Sequence, residues 1–188
     1  MSCLYIYLYF SQPGTPLRPI VASIHAPVTL ASKLLNDVLA PIFLTVARQS
    51  TFINDIDVIR RLEQYRNDGH FKSTTKFIAI DVTDLYTMIP RDGALQALAR
   101  FCMKHSYQGK IGTLALDHIM KMARLILDTN CFVFNDKYYK QIRGGAMGSA
   151  FTQVLANIYM LEWEEELIQH QQTHSEIYGR SVYTFIYT

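Results

Sequence analysis

Two aspartates and a tyrosine, Asp81, Asp84 and Tyr86, sit together in the stretch KFIAIDVTDLYTMIP, residues 76–90. Phe77, Ile78, Ala79 and Ile80 form a short apolar run that predicts a buried strand, with Asp81 at its end and Pro90 closing the segment. A carboxylate at the end of a buried strand is costly to desolvate unless it is paired or binds a metal. Asp81 is therefore a candidate metal ligand on a rigid element. The plainer alternative is that Asp81 and Asp84 end a strand and begin a turn. A second chemical stretch lies well downstream, QIRGGAMGS at 141–149, with Gly144, Gly145, Gly148 and Ser149 ahead of a helical pattern. Glycines let backbone approach a ligand closely, and a helix N-terminus offers unpaired N–H groups. The loop has neither the Gly-Lys-Ser/Thr of a Walker loop nor dinucleotide spacing. A third candidate is Arg18, kept extended by Pro19 and suited to a phosphate or to solvent.

The elements that must position these groups follow from periodicity. Met1 to Phe10 reads as an aromatic and β-branched strand, ended by the turn Pro13-Gly14-Thr15-Pro16, with a short extended piece at 17–21. Thr29 opens a helix with Leu30, Leu34, Leu35, Val38 and Leu39 on one face, and Pro41 is expected to kink or end it. A second helix from Asn54 carries Ile56, Ile59, Leu62 and Tyr65 on one side, with Arg60, Arg61 and Arg66 solvated on the other, and stops near Gly69. Helices are also expected over 92–105, 113–128 and 151–169. A hairpin is expected across Cys131–Phe134 and Lys137–Lys140, and a strand at 181–188.

Length and composition bound the answer. The 188 residues suit one domain, and a hydrophobic fraction of 49% supplies a core. The net charge of +2 is too small for a strongly basic nucleic-acid binder, so any such binding must come from a local patch. Three widely spaced cysteines, Cys3, Cys102 and Cys131, make neither a zinc pattern nor a disulfide framework, which suits a reducing intracellular compartment, nucleus or cytoplasm. No run is expected to reach membrane-spanning length, and no membrane partner is expected.

Taken together, these stretches resemble a reverse transcriptase. Asp81 with Tyr86 resembles the palm motif of a catalytic aspartate and a sugar-sensing aromatic. The stretch at 141–157, QIRGGAMGSAFTQVLAN, resembles the motif that meets template and incoming nucleotide, and Arg18-Pro19-Ile20 resembles the fingers motif. The wording of DVTDLYTMIP, GGAMGS and LANIYMLEWE is most similar to the reverse transcriptases of Penelope-like retroelements, from about Pro13 to Arg180.

The resemblance implies an α+β, right-hand polymerase fold over residues 1–188, fingers and palm. A small antiparallel palm sheet would pack on helices, the thumb would be absent, and residues 1–12 and 181–188 would depart from the pattern. The implied reaction is attack of a primer 3′-hydroxyl on a dNTP along an RNA or DNA template, with two Mg²⁺ ions roughly 3.5–4 Å apart. By resemblance, Asp81 and the Val82 carbonyl would hold metal. Asp84, Leu85 and Tyr86 would lie beneath the triphosphate and sugar, Tyr86 excluding a 2′-hydroxyl. Arg18 would neutralise triphosphate charge, and Gly145, Met147, Gly148 and Ser149 would pack against nucleotide and template. The family's Tyr-x-Asp-Asp hairpin should follow Gly179-Arg180, where this chain reads SVYTFIYT, and Ala150 stands where a proline is usual. The expected result is weak or absent Mg²⁺ binding and a domain that does not polymerise. The alternatives are a non-catalytic nucleic-acid-binding module or a functionless retroelement remnant.

Overall fold

The computed structural model describes residues 4–9, 18–22, 28–134, 137–180 and 184–187; the stretches 4–9, 18–22, 133–134 and 184–187 are described by backbone pairing alone. In chain order the first elements are β1 (Leu4–Tyr9), β2 (Arg18–Ala22), α1 (Thr29–Val46), α2 (Asp55–Asn67), β3 (Ile78–Asp81) and α3 (Leu85–Met88). The middle of the chain forms α4 (Arg91–His105), β4 (Lys110–Ile111), β5 (Leu114–Ala115), α5 (Leu116–Asp128), β6 (Cys131–Phe134) and β7 (Lys137–Lys140). Helices α6 (Ala150–Trp163) and α7 (Glu165–His174) and strands β8 (Tyr178–Arg180) and β9 (Thr184–Tyr187) complete it. The chain divides into two compact units, residues 1–42 with 84–159 and residues 43–83 with 160–188.

The first unit holds a four-stranded sheet in the order β2-β1-β6-β7. Strands β1 and β2 run antiparallel from Tyr5 opposite Ala22 to Tyr9 opposite Arg18, and β1 pairs parallel with β6. The hairpin β6–β7 sets Cys131 opposite Lys140 and stacks the rings of Phe132 and Tyr139 at 5.4 Å, as the alternating aromatics predict. The core of this unit is helical. Leu95, Leu98 and Cys102 of α4, Ile119, Ala123 and Leu127 of α5, Leu35 and Leu39 of α1, and Phe151, Val154 and Leu155 of α6 are all buried. The apolar positions of α4 and α5 recur at helical spacing, so both helices are explained by burial of one stripe. Asp92 in the first turn of α4 and Lys104 in its last turn complement the helix dipole.

The second unit is built around the three-stranded antiparallel sheet β3-β9-β8. Its register pairs Ile78 with Tyr187 and Asp81 with Thr184 across β3–β9, and Arg180 with Phe185 across β8–β9. Phe43, Ala47, Phe52, Met160 and Tyr178 are buried in this unit. The segment before α2 is laced to β8: the Phe52 N–H donates to the Arg180 carbonyl and the Arg180 N–H to the Ser50 carbonyl, both at 2.8 Å. Asn54 caps α2 by accepting from the Asp57 N–H at 2.9 Å.

Several expectations are corrected. Strand β3 exists, but all of its residues are exposed, Ile78 and Ile80 at 47% each, so it is not the buried strand that its apolar run suggests. Strand propensity depends on β-branched side chains, whereas burial depends on what covers the sheet's faces. Pro41 does not end α1. It sits exposed within the helix, where the carbonyl that loses its N–H partner can turn to water. The apolar side of α2 buries no residue, with Ile56 and Ile59 more than half exposed. Arg61 is not solvated, since its guanidinium donates to the carbonyls of Arg48 at 2.8 Å and Thr51 at 2.9 Å. The helix expected over 151–169 is two helices, α6 and α7, broken at Glu164. Finally, α1 is 18 residues long with mean hydropathy 1.3, long and apolar enough to cross a membrane by those two measures. One such helix is weak support for a span. Leu35 and Leu39 of α1 are fully buried, while Leu30, Leu34, Leu44 and Val46 are exposed.

Candidate functional site

In the first unit, the tail of the aspartate stretch and the glycine loop meet through their backbones. Asp84 adopts the left-handed conformation at φ 54°, which aspartate tolerates better than most residues, and starts the single turn α3. That turn presents carbonyls to the loop. The Gly145 N–H donates to the Tyr86 carbonyl at 2.8 Å, and the Gly144 N–H to the Ile89 carbonyl at 3.1 Å. Gly144 has φ +55°, and a Cβ there would collide with the backbone of Tyr86 and Thr87, so only glycine fits. A Cβ on Gly145 would instead run into the Thr152 side chain.

The loop is clamped from outside as well. Arg91 donates from Nε to the Gly144 carbonyl at 2.9 Å and from its guanidinium NH₂ to the Gln141 carbonyl at 2.6 Å. Burial lowers the Arg91 pKa, and Asp128, 3.9 Å away, opposes that shift. The Gln141 side-chain amide donates to the carbonyls of Arg143 at 2.9 Å and Gly145 at 3.1 Å. Ser149 is buried, its hydroxyl 2.9 Å from that of Ser32, while the Ser32 hydroxyl accepts from the Phe151 N–H at 3.0 Å. Two serines thus cap the start of α6. Neither Arg91 nor Ser32 is signalled by sequence, because each acts on backbone groups far away along the chain.

Tyr86 and Leu85 are half-buried in α3, Met147 is half-buried and Gly148 exposed. Arg18 begins β2 with its backbone opposite Tyr9, and its side chain lies outside the described residues. Asp81 and Val82 belong to the second unit, Asp81 exposed at the end of β3 and Val82 half-buried. The structure therefore brings Tyr86 together with Gly144 and Gly145, and sets Thr184 in register with Asp81.

Magnesium requires several hard oxygen ligands in near-octahedral array. Asp81 supplies one carboxylate and its register partner is a threonine. Among the described residues no three His, Cys, Asp or Glu side chains gather into a metal-holding group. These donors do not fit a two-ion site.

The second unit also contains a charged group that the sequence hid. Glu164, one of four acids near the end of the 151–169 helical pattern, is fully buried, and its carboxylate lies 3.0 Å from Nε of Arg180. The Arg180 guanidinium sits 5.6 Å above the Phe43 ring. Burial pushes the Glu164 pKa up to about 7, against the opposing pull of Arg180 and a hydrogen bond from Tyr178. The pair anchors β8, which forms the hairpin carrying Thr184.

No protein-family model and no curated protein matches the chain. Solved structures do. Apo telomerase from Candida tropicalis aligns at TM-score 0.76 and 13% identity, over 98% of this chain and 39% of that one. Telomerase from Candida albicans, in complex with a TWJ fragment of telomeric RNA, aligns at TM-score 0.69 and 12% identity, over 98% of this chain and 38% of that one. The chain thus spans about two fifths of these telomerase chains, and at such identities the likeness is one of fold. The fold is similar to that of the matched part of these telomerases.

Proposed function

We propose that this chain is the fingers-and-palm portion of an RNA-directed DNA polymerase of the Penelope-like retroelement kind, which engages a template and primer but does not by itself add nucleotides. The observation that carries the reading is the Gly145 N–H to Tyr86 carbonyl hydrogen bond. It joins two motifs, far apart in sequence, that a reverse transcriptase needs on one surface, within a fold similar to that of telomerase. The telomerase from Candida albicans was solved with telomeric RNA, which supports a nucleic-acid partner here.

In this reading the chain's own residues bind and orient. Arg91 and Gln141 hold the glycine loop rigid, and the loop fixes α3 and so the backbone of Tyr86, whose ring would limit the sugar. Two-metal nucleotide transfer needs a complete carboxylate set. With Thr184 in register with Asp81, that set is incomplete, which supports binding without transfer. Fluorescence anisotropy with a labelled RNA-template/DNA-primer hybrid tests the binding. The expected result is an affinity that falls steeply between about 50 mM and about 200 mM salt, as counterion release requires. Absent or salt-insensitive binding would contradict the reading.

A further inference from the structure

The second unit carries a connected group of rings edged by cations that the motifs leave unused. Helix α2 ends when Gly69, at φ +77°, turns the chain back, and the His70 N–H returns to the Tyr65 carbonyl at 3.2 Å. His70 and Phe71 are thereby laid against Tyr65, with ring centroids 5.1 Å and 5.4 Å from it, and Phe77 lies 5.7 Å from Phe71. Between the two phenylalanines a tight turn is closed by the Thr75 N–H to the Lys72 carbonyl at 3.0 Å and the Lys72 N–H to the Thr75 hydroxyl at 2.9 Å. The rings are therefore held by local backbone geometry. Yet Phe71 is 38% and Phe77 55% exposed.

Charge identifies what would cover them. Residues 60–77 carry Arg60, Arg66, Lys72 and Lys76 against Glu63 and Asp68, a balance of +2, with Arg61 held by Asp57 and by backbone carbonyls. Arg60, Arg66, Lys72 and Lys76 are exposed. A cleft of about 390 Å³ shares Tyr65 and His70 with the ring group, and Gln64, Gln171, Gln172 and Asp68 also line it. Amide side chains of this kind can read the donor and acceptor edge of an unstacked base.

We propose that Tyr65 to Phe77 is a stacking platform for single-stranded nucleic acid. The bases would lie on Phe71 and Phe77, the phosphates would meet Arg66, Lys72 and Lys76, and a splayed base could enter the cleft beside Tyr65 and His70. The inference rests on the proposed nucleic-acid function and names the surface that carries it. Flat apolar faces interleaved with cations match a polyanion that also presents flat apolar rings, which neither a duplex nor an acidic peptide offers.

The test is anisotropy with labelled 20-nucleotide oligo(U), oligo(dT) and a duplex of the same length, across a salt series. Phe71→Ala/Phe77→Ala is expected to weaken single-strand binding about ten- to a hundredfold with an unchanged salt slope and little effect on the duplex. Phe71→Trp/Phe77→Trp should restore it, and Lys72→Gln/Lys76→Gln should make the log K–log salt slope shallower by about 0.7 per lysine. Oligo(U) against oligo(dT) reports whether RNA or DNA is preferred. Since both phenylalanines are exposed, the melting temperature should hold, and the lysine pair gives a second handle if it does not. If the wild type binds and the ring variant binds equally well, or loses duplex and single strand alike, the platform is wrong while the proposed function stands. If the wild type binds no nucleic acid at all, both fall.

Discussion

The glycine loop of the first unit and strand β3 of the second carry the two halves of the sequence signature, and they are built in opposite ways. The loop is over-determined: Gly144 can be nothing else, Arg91 and Gln141 hold its carbonyls, and Ser32 and Ser149 close the helix that follows. Among the described residues strand β3 pairs with β9; its side chains are exposed, and the sheet continues to β8, anchored by the buried Glu164–Arg180 pair. Geometry in this molecule is invested in the surface that would position a substrate. The carboxylate that would do chemistry stands at the end of an exposed strand.

Substitutions test that contrast. Gly144→Ala combines a left-handed backbone with a collision against main-chain atoms of Tyr86 and Thr87, so a loss of at least ~3 kcal/mol is expected, measurable by chemical denaturation. A loss below about 1 kcal/mol would mean that the loop is not clamped. Glu164 gives a pH signature. Its folded pKa of about 7 lies above the ordinary 4.5, so the folded state holds the proton more tightly. The stability this contributes is present below about pH 4.5 and is lost as the pH rises to about 7. Glu164→Gln, which cannot titrate, should remove that slope, worth on the order of 3 kcal/mol across the window, in denaturation curves taken at several pH values. An unchanged slope would place Glu164 in water. Asp81→Ala has the smallest expected effect on folding, within about 0.5 kcal/mol, because the side chain is exposed. A large loss would make Asp81 a structural residue.

The sequence made some of this legible. The helical stripe of Leu95, Leu98 and Cys102 and the hairpin at 131–140 appear as expected, since periodicity and turn residues report directly on local backbone. The Gly145 N–H to Tyr86 carbonyl hydrogen bond is a contact that sequence does not show. What sequence did not show is what depends on distant partners. The apolar run Phe77 to Ile80 makes a strand anywhere, but nothing in it says that no layer covers it. Glu164 reads as one acid among Glu162, Glu165 and Glu166, because its partner Arg180 lies beyond α7 and finds it only when β8 forms. Pro41 can kink or end a helix, and it does not end α1, which continues to Val46.

Binding without transfer is tested most directly by primer extension on an RNA template, with the wild type and Asp81→Ala side by side in Mg²⁺ and in Mn²⁺. The two are expected to behave alike, binding the hybrid without lengthening the primer, because Thr184 stands in register with Asp81. Robust extension by the wild type that Asp81→Ala abolishes would contradict this, and would show that Asp81 finds its partner carboxylates elsewhere.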